Sequence, residues 1–110
     1  MTDAREVISL VREHRKDIMI DGEMQLDAAI DPEVAKNKIG GSFVAGRANV
    51  LICPDLNSGN ILYKSFQYFG GYTAAGPILQ GFSFPVSDLS RGSSIEDIVL
   101  TIETIKKLGK

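Results

Sequence analysis

Residues Ala48 to Cys53 read ANVLIC, a run without the polar alternation of a strand that keeps one face wet. A strand apolar on both faces needs cover on both faces, and the usual solution is a largely parallel sheet flanked by helices. The rest of the chain supplies elements in the matching order. Asp3 to Lys16 carries Val7, Ile8, Leu10 and Val11 at helical spacing between charges. Ile18 to Asp21 is a short β-branched run that ends at Asp21-Gly22, as a buried strand and turn would. A helical segment over Gln25 to Ile30 resumes after Pro32, a residue suited to a first helical turn.

After the glycine-rich break at Ile39 to Ser42 and the expected strand 48–53, Pro54 and Asp55 end the strand and cap-type residues from Asn57 or Ser58 open another helix. It puts Ile61, Leu62, Ser65, Phe66 and Phe69 on one face and stops at Gly70-Gly71. Short apolar pieces follow at Pro77 to Leu79 and Phe84 to Val86. A last helix from Ser94 to Leu108 directs Ile95, Ile98, Val99, Ile102 and Ile105 inward. Strands alternating with helices predict an α/β fold with a largely parallel sheet, its ligands beyond the strand ends.

The 12 basic and 14 acidic residues leave a net charge of -2, and no dense Lys/Arg block offers the phosphate neutralisation a nucleic-acid binder needs. Cys53 is the single cysteine, which excludes an intramolecular disulfide and disfavours a cysteine-built zinc site. Charges interrupt the N-terminal region where a secretory signal requires an apolar segment. No run approaches the roughly 20 apolar residues of a bilayer span. These features suit a soluble, cytoplasmic protein without a membrane partner.

Chemistry is most concentrated where the second short apolar piece joins the final helix, at Asp88-Leu89-Ser90-Arg91-Gly92-Ser93-Ser94. A helix N-terminus offers unpaired N–H groups and the positive end of the dipole to an anion. Arg91 adds a forked cationic donor suited to phosphate, the Ser90 hydroxyl can donate to a developing oxyanion, and Gly92 lets the loop approach a ligand. For the pattern alone, an ordinary surface turn with an exposed arginine is the plainer reading. Ser93 and Glu96 fit a capping box, which leaves Asp97 free to take a proton, although the dipole would keep it a weak base at rest. A solvated first-turn aspartate is the plainer alternative.

Asn60, Lys64 and Gln67 share one helix face and either line a polar cleft or form its wet side. Asp21, Glu23, Asp27 and Asp31 lack the histidine cluster of a good metal site, and no metal is expected. His14, on a charged helix, reads as exposed, with no local support for a Ser-His-Asp triad. Cys53 reads as a packing residue rather than a nucleophile.

Three ordered blocks carry a resemblance: DGEMQLDAAI at 21–30, AGRANVLICPDLNSGNILYKSFQ at 45–67 and GPILQGFSFPVSDLSRGSSIEDIV at 76–99. Together they resemble the C-terminal third of phosphate acetyltransferases. The resemblance implies reversible transfer of an acetyl group between acetyl phosphate and coenzyme A by direct thiolate attack, without a metal, a tightly bound cofactor or a covalent acyl-enzyme. It implies a two-lobed α/β fold similar to isocitrate and isopropylmalate dehydrogenases, with the cleft between lobes and a crossover near residues 74–79. Asp97 would deprotonate the coenzyme-A thiol, while Ser90 and Arg91 would hold the acyl phosphate. Gly92, Asn60 and Lys64 complete the expected substrate-binding set.

Phosphate butyryltransferases share the fold but usually depart from the DGE-Q-DAA and DLSRG patterns, so acetyl is the expected acyl group. The C-terminal domain of malic enzymes is also related, with its Ser-Arg-Gly segment commonly altered. Further phosphate-binding arginines of the family belong to an N-terminal portion that no part of these 110 residues represents. Exposed strand edges then favour a homo-oligomer, or completion by that missing portion. A non-catalytic fragment or regulatory module that binds coenzyme A or phosphate is the alternative function.

Overall fold

The computed structural model describes residues 2–108. The chain divides into two compact units, Met1–Ile52 and Cys53–Lys110.

The first unit begins with helix α1 (Thr2–His14), followed by helices α2 (Leu26–Ile30) and α3 (Pro32–Lys38). Pro32 stands in the first turn of α3 as expected, and the Asp31 side chain caps that helix by accepting from Glu33 and Val34 N–H. A helix as short as α2 leaves carbonyls without intrahelical partners. The returning loop supplies them, since Gly46 N–H donates to Ala28 and Ala48 N–H to Ala29, each at 2.9 Å. The approach is close enough to demand small residues: Ala28, Ala29 and Ala35 are the buried apolar side chains. Gly46 has φ +76°, and a Cβ there would come within 2.6 Å of the Pro32 Cα. Lys38 holds the open side by bonding Gln25 and Asp27, both at 2.7 Å.

The second unit holds helix α4 (Leu56–Tyr68), strands β1 (Ile78–Leu79) and β2 (Val86–Ser87), and helix α5 (Ile95–Leu108). The α4 cap is Asp55, which accepts from Ser58 N–H at 2.7 Å, so the helix starts slightly before the expected Asn57 or Ser58. The chain turns at Gly70-Gly71, where Gly70 N–H donates to Ser65 and Tyr72 N–H to Phe66. Phe66 and Tyr72 then meet edge to face at 5.8 Å between ring centres. Strands β1 and β2 pair antiparallel, Ile78 opposite Ser87 and Leu79 opposite Val86. The Ser87 hydroxyl adds a 2.6 Å bond to the Pro77 carbonyl.

Several expectations change. Neither Ile18–Asp21 nor Ala48–Cys53 is a strand, and Ile52 is 87 % exposed. An extended run becomes a strand only when a neighbour takes its successive N–H and C=O groups, and among the described residues the backbone bond to these runs is the single one from Ala48 N–H to Ala29. The sheet among the described residues is the antiparallel β1–β2 pair, two residues long on each side. In α4, Leu62 and Ser65 are half-buried, whereas Ile61 and Phe69 face out. The inward face of α5 is also rotated from the apolar stripe. Asp97 and Thr101 are buried, Ile98 and Ile105 half-buried, and Ile95, Val99 and Ile102 exposed. The cause is local: residues 74–76 lie against α5 and bring N–H donors that require acceptors. Gly76 N–H bonds the Thr101 hydroxyl at 2.9 Å, and that hydroxyl donates to the Asp97 carbonyl at 2.7 Å.

Candidate functional site

The loop from β2 into α5 sets the site. Ser90 C=O accepts from Ser93 N–H at 3.0 Å and its hydroxyl oxygen accepts from Gly92 N–H at 3.3 Å, so Ser90 to Ser93 close into a turn. Ser90, Arg91 and Gly92 are all exposed on it. A Cβ at Gly92 would meet no atom within 4 Å, so nothing among the described residues demands glycine there.

The capping box lies one residue beyond the expected Ser93–Glu96 pair. Ser94 Oγ accepts from Asp97 N–H at 3.1 Å, and the Asp97 carboxylate accepts from Ser94 N–H at 3.2 Å. Asp97 is therefore the box acid and not a free carboxylate, while Glu96 is exposed. Its Oδ1 also accepts from Ala74 N–H, and its Oδ2 from the Gln67 side-chain amide, both at 3.2 Å. The Ala74 N–H and then the Ser94 N–H hold this carboxyl below its ordinary value of 3.8; burial opposes them, and the Lys64 charge adds to the lowering.

Helix α4 provides the facing groups. Lys64 Nζ lies 3.3 Å from Gln67 Oε1, 3.4 Å from the Tyr63 hydroxyl and 4.4 Å from the centre of the Tyr63 ring. The structure thus joins Lys64 and Gln67 to Asp97 and leaves Asn60 exposed one turn earlier. Ser90, Arg91 and Gly92 make no bond to Asp97 among the described residues. Gln67 and Thr101 carry more of the arrangement than their sequence positions announced. For Gln67 the helical spacing from Lys64 was the available signal; for Thr101 there was none.

The remaining candidates are engaged otherwise. Asp21 pairs with Arg12 at 3.5 Å, Asp27 with Lys38 at 2.7 Å, and Asp31 caps α3. Among the described residues no group of three His, Cys, Asp or Glu side chains could hold a metal. His14 is exposed with Nδ1 at 2.9 Å from the Leu10 carbonyl, and Cys53 is half-buried beside Gly59. An open groove of about 360 Å³ lies between Arg5, Ile8, Ser9, Arg12, Asp21 and Gly22 in the first unit, with Arg12, one of its two arginines, paired to Asp21. No helix among the described residues is long and apolar enough to cross a membrane.

Residues 1–105 match the family model described as phosphate acetyl/butaryl transferase. The chain belongs to that family. Relatives within the phosphate acetyl/butaryl transferases include the phosphate acetyltransferase of Clostridium acetobutylicum, 56 % identical over 95 residues, or 86 % of this chain and 28 % of the relative. That of Acetivibrio thermocellus is 60 % identical over 90 residues, 82 % of this chain and 27 % of the relative. That of Escherichia coli K12 is 53 % identical over 98 residues, 89 % of this chain and 14 % of the relative. The chain therefore spans between a seventh and under a third of these relatives' lengths.

Proposed function

We propose that this chain carries the half of a phosphate acetyltransferase site that receives the coenzyme-A thiol. Asp97 takes the thiol proton, and the sulfur attacks the carbonyl carbon of acetyl phosphate. The bond from that carbon to the phosphate oxygen breaks, and inorganic phosphate leaves. Arg91 and the Ser90 hydroxyl hold the phosphoryl oxygens and the developing oxyanion, from an exposed turn that a substrate can reach. Gly92 and Asn60 border the same substrate. Phosphate butyryltransfer is the same chemistry on a longer acyl chain.

The observation that supports this reading best is Asp97 itself. The carboxylate of a residue 7 % exposed, held by two backbone N–H groups and an amide beside a lysine, is oriented before any substrate arrives. Its lowered pKa makes it a weak base at rest, so proton transfer requires that a donor be shed or the cleft be dried as substrate enters. The wider frame is part of the same proposal: an α/β architecture with a lobe crossover near residues 74–79, a cytoplasmic setting, and other polypeptide, from a second copy or from the N-terminal portion, contributing the remaining phosphate ligands.

Formation of acetyl-coenzyme A from acetyl phosphate and coenzyme A tests the reading. Turnover that falls about 10²- to 10⁴-fold in Asp97→Asn supports it, with a comparable loss in Arg91→Ala. The exposed turn at Ser90 to Gly92, which makes no bond to Asp97 among the described residues, also suits a second reading, a module that binds coenzyme A or phosphate without turnover. Saturable binding of coenzyme A in dialysis, with no product above the protein-free rate, would select the module.

A further inference from the structure

We infer that Gln67 is a positioning residue that fixes the Asp97 carboxylate and carries the charge of Lys64 to it. The inference rests on the proposed role of Asp97 and deepens it. Lysine only donates and an ionised carboxylate only accepts, so an amide between them has one favourable orientation. Its Oε1 faces Lys64 at 3.3 Å and its Nε2 faces Asp97 Oδ2 at 3.2 Å. The reverse orientation would oppose donor to donor and acceptor to acceptor. Lys64 is held in turn by the Tyr63 hydroxyl and ring, with the Tyr68 ring centre 5.8 Å away. Lys64, also expected at the substrate, is thus already in contact with the glutamine.

The groups around Asp97 come from three places. Lys64 and Gln67 face it from α4, the Ala74 N–H from the loop after that helix, and Ser94 from its own cap. Glu96, its neighbour on α5, is exposed. Of these, Gln67 alone bonds both the carboxylate and the cation. Removing it loosens Oδ2 and weakens the influence of Lys64, whereas the two backbone donors stay.

The Asp97 titration midpoint, read by carbon-13 NMR of the carboxyl in the full chain, tests this directly. Gln67→Leu and Lys64→Met should each raise the midpoint, and the double variant should raise it by less than the sum of the two. Gln67→Glu should raise it most, because it sets one carboxylate against another. If the chain turns over, the acid limb of kcat/KM should move with the midpoint, and Gln67→Leu should cost about tenfold through misplacement of the base. An unchanged midpoint in Gln67→Leu, or strict additivity with Lys64→Met, overturns the inference. Shifted, non-additive midpoints in a chain that binds coenzyme A without turnover uphold the coupling and select the binding module over acetyl transfer by this chain. Far-UV circular dichroism identifies a misfolded variant, and Lys64→Met and Gln67→Glu then decide the matter.

Discussion

The two units bury opposite kinds of residue. The first is closed by alanines: Ala28, Ala29 and Ala35 sit under a loop that touches them through Gly46, and the carbonyls of Ala28 and Ala29 are satisfied by backbone N–H groups of that loop. In the second, the side chains withdrawn from water are Asp97 and Thr101, while Ile61, Phe69, Ile95 and Val99 remain exposed. Small residues that pack backbone against backbone need no further partner. A buried carboxylate and hydroxyl each require specific donors, and they confer orientation more than stability. Burial in the first unit thus serves close backbone packing, and in the second the orientation of polar groups.

Substitutions should separate these regimes, beginning with the largest effect. Gly46→Ala places a Cβ 2.6 Å from Pro32 Cα at a positive φ, so it should cost about 2 to 5 kcal/mol. Loss of amide-exchange protection across residues 28–35 would register it, and wild-type protection there would mean that the contact can relax. In the second unit, Thr101→Val strands the half-buried Gly76 N–H and should cost about 1 to 2 kcal/mol in urea unfolding. Thr101→Ser keeps the hydroxyl and should lose only about 1 kcal/mol for the methyl. Equal losses in the two variants would show that packing, not the hydrogen bond, matters at this position.

Asp31→Ala tests the polar device of the first unit and should cost about 1 kcal/mol, the usual worth of a helix cap. Acid should act more weakly and gradually. The carboxyls of Asp27, Asp55 and Asp97 are held below 3.8, so the unfolded chain takes up protons before the folded one does. Their contribution is complete well above 3.8 and is lost as pH falls through the lowered folded values. The urea midpoint should be level between about pH 7 and about pH 5 and decline below about pH 4, and Asp97→Asn should flatten part of the decline. A midpoint that rises on acidification contradicts the assignment.

Local signals in the sequence were read well where one residue decides the outcome. Pro32 opens α3 and Gly70-Gly71 ends α4, because each acts through its own backbone. The run 48–53 failed as a strand for the opposite reason, since pairing needs a second segment that its own residues cannot specify. The cap of α5 shows how such a tie is broken. Ser93-Ser94-Ile95-Glu96-Asp97 contains two serine–acid pairs at the right spacing, and either fits a capping box. The Ala74 N–H, 23 residues away, bonds Asp97 and selects the second. Ser90, Arg91 and Gly92 were visible as an exposed turn, but the link from Lys64 through Gln67 to Asp97 depends on how two helices face each other.

The close approach at Gly46 also frees the stretch before it. Ile39 N–H is tied to Ala35 and Gly46 N–H to Ala28, so residues 40–45 form an excursion pinned at both ends. A side chain built at Gly40 would find open space within 4 Å. Doubling such a loop costs only about 0.6 kcal/mol in closure entropy. This stretch can therefore drift in length, or take a grafted epitope, while the alanine seam beneath it keeps its register.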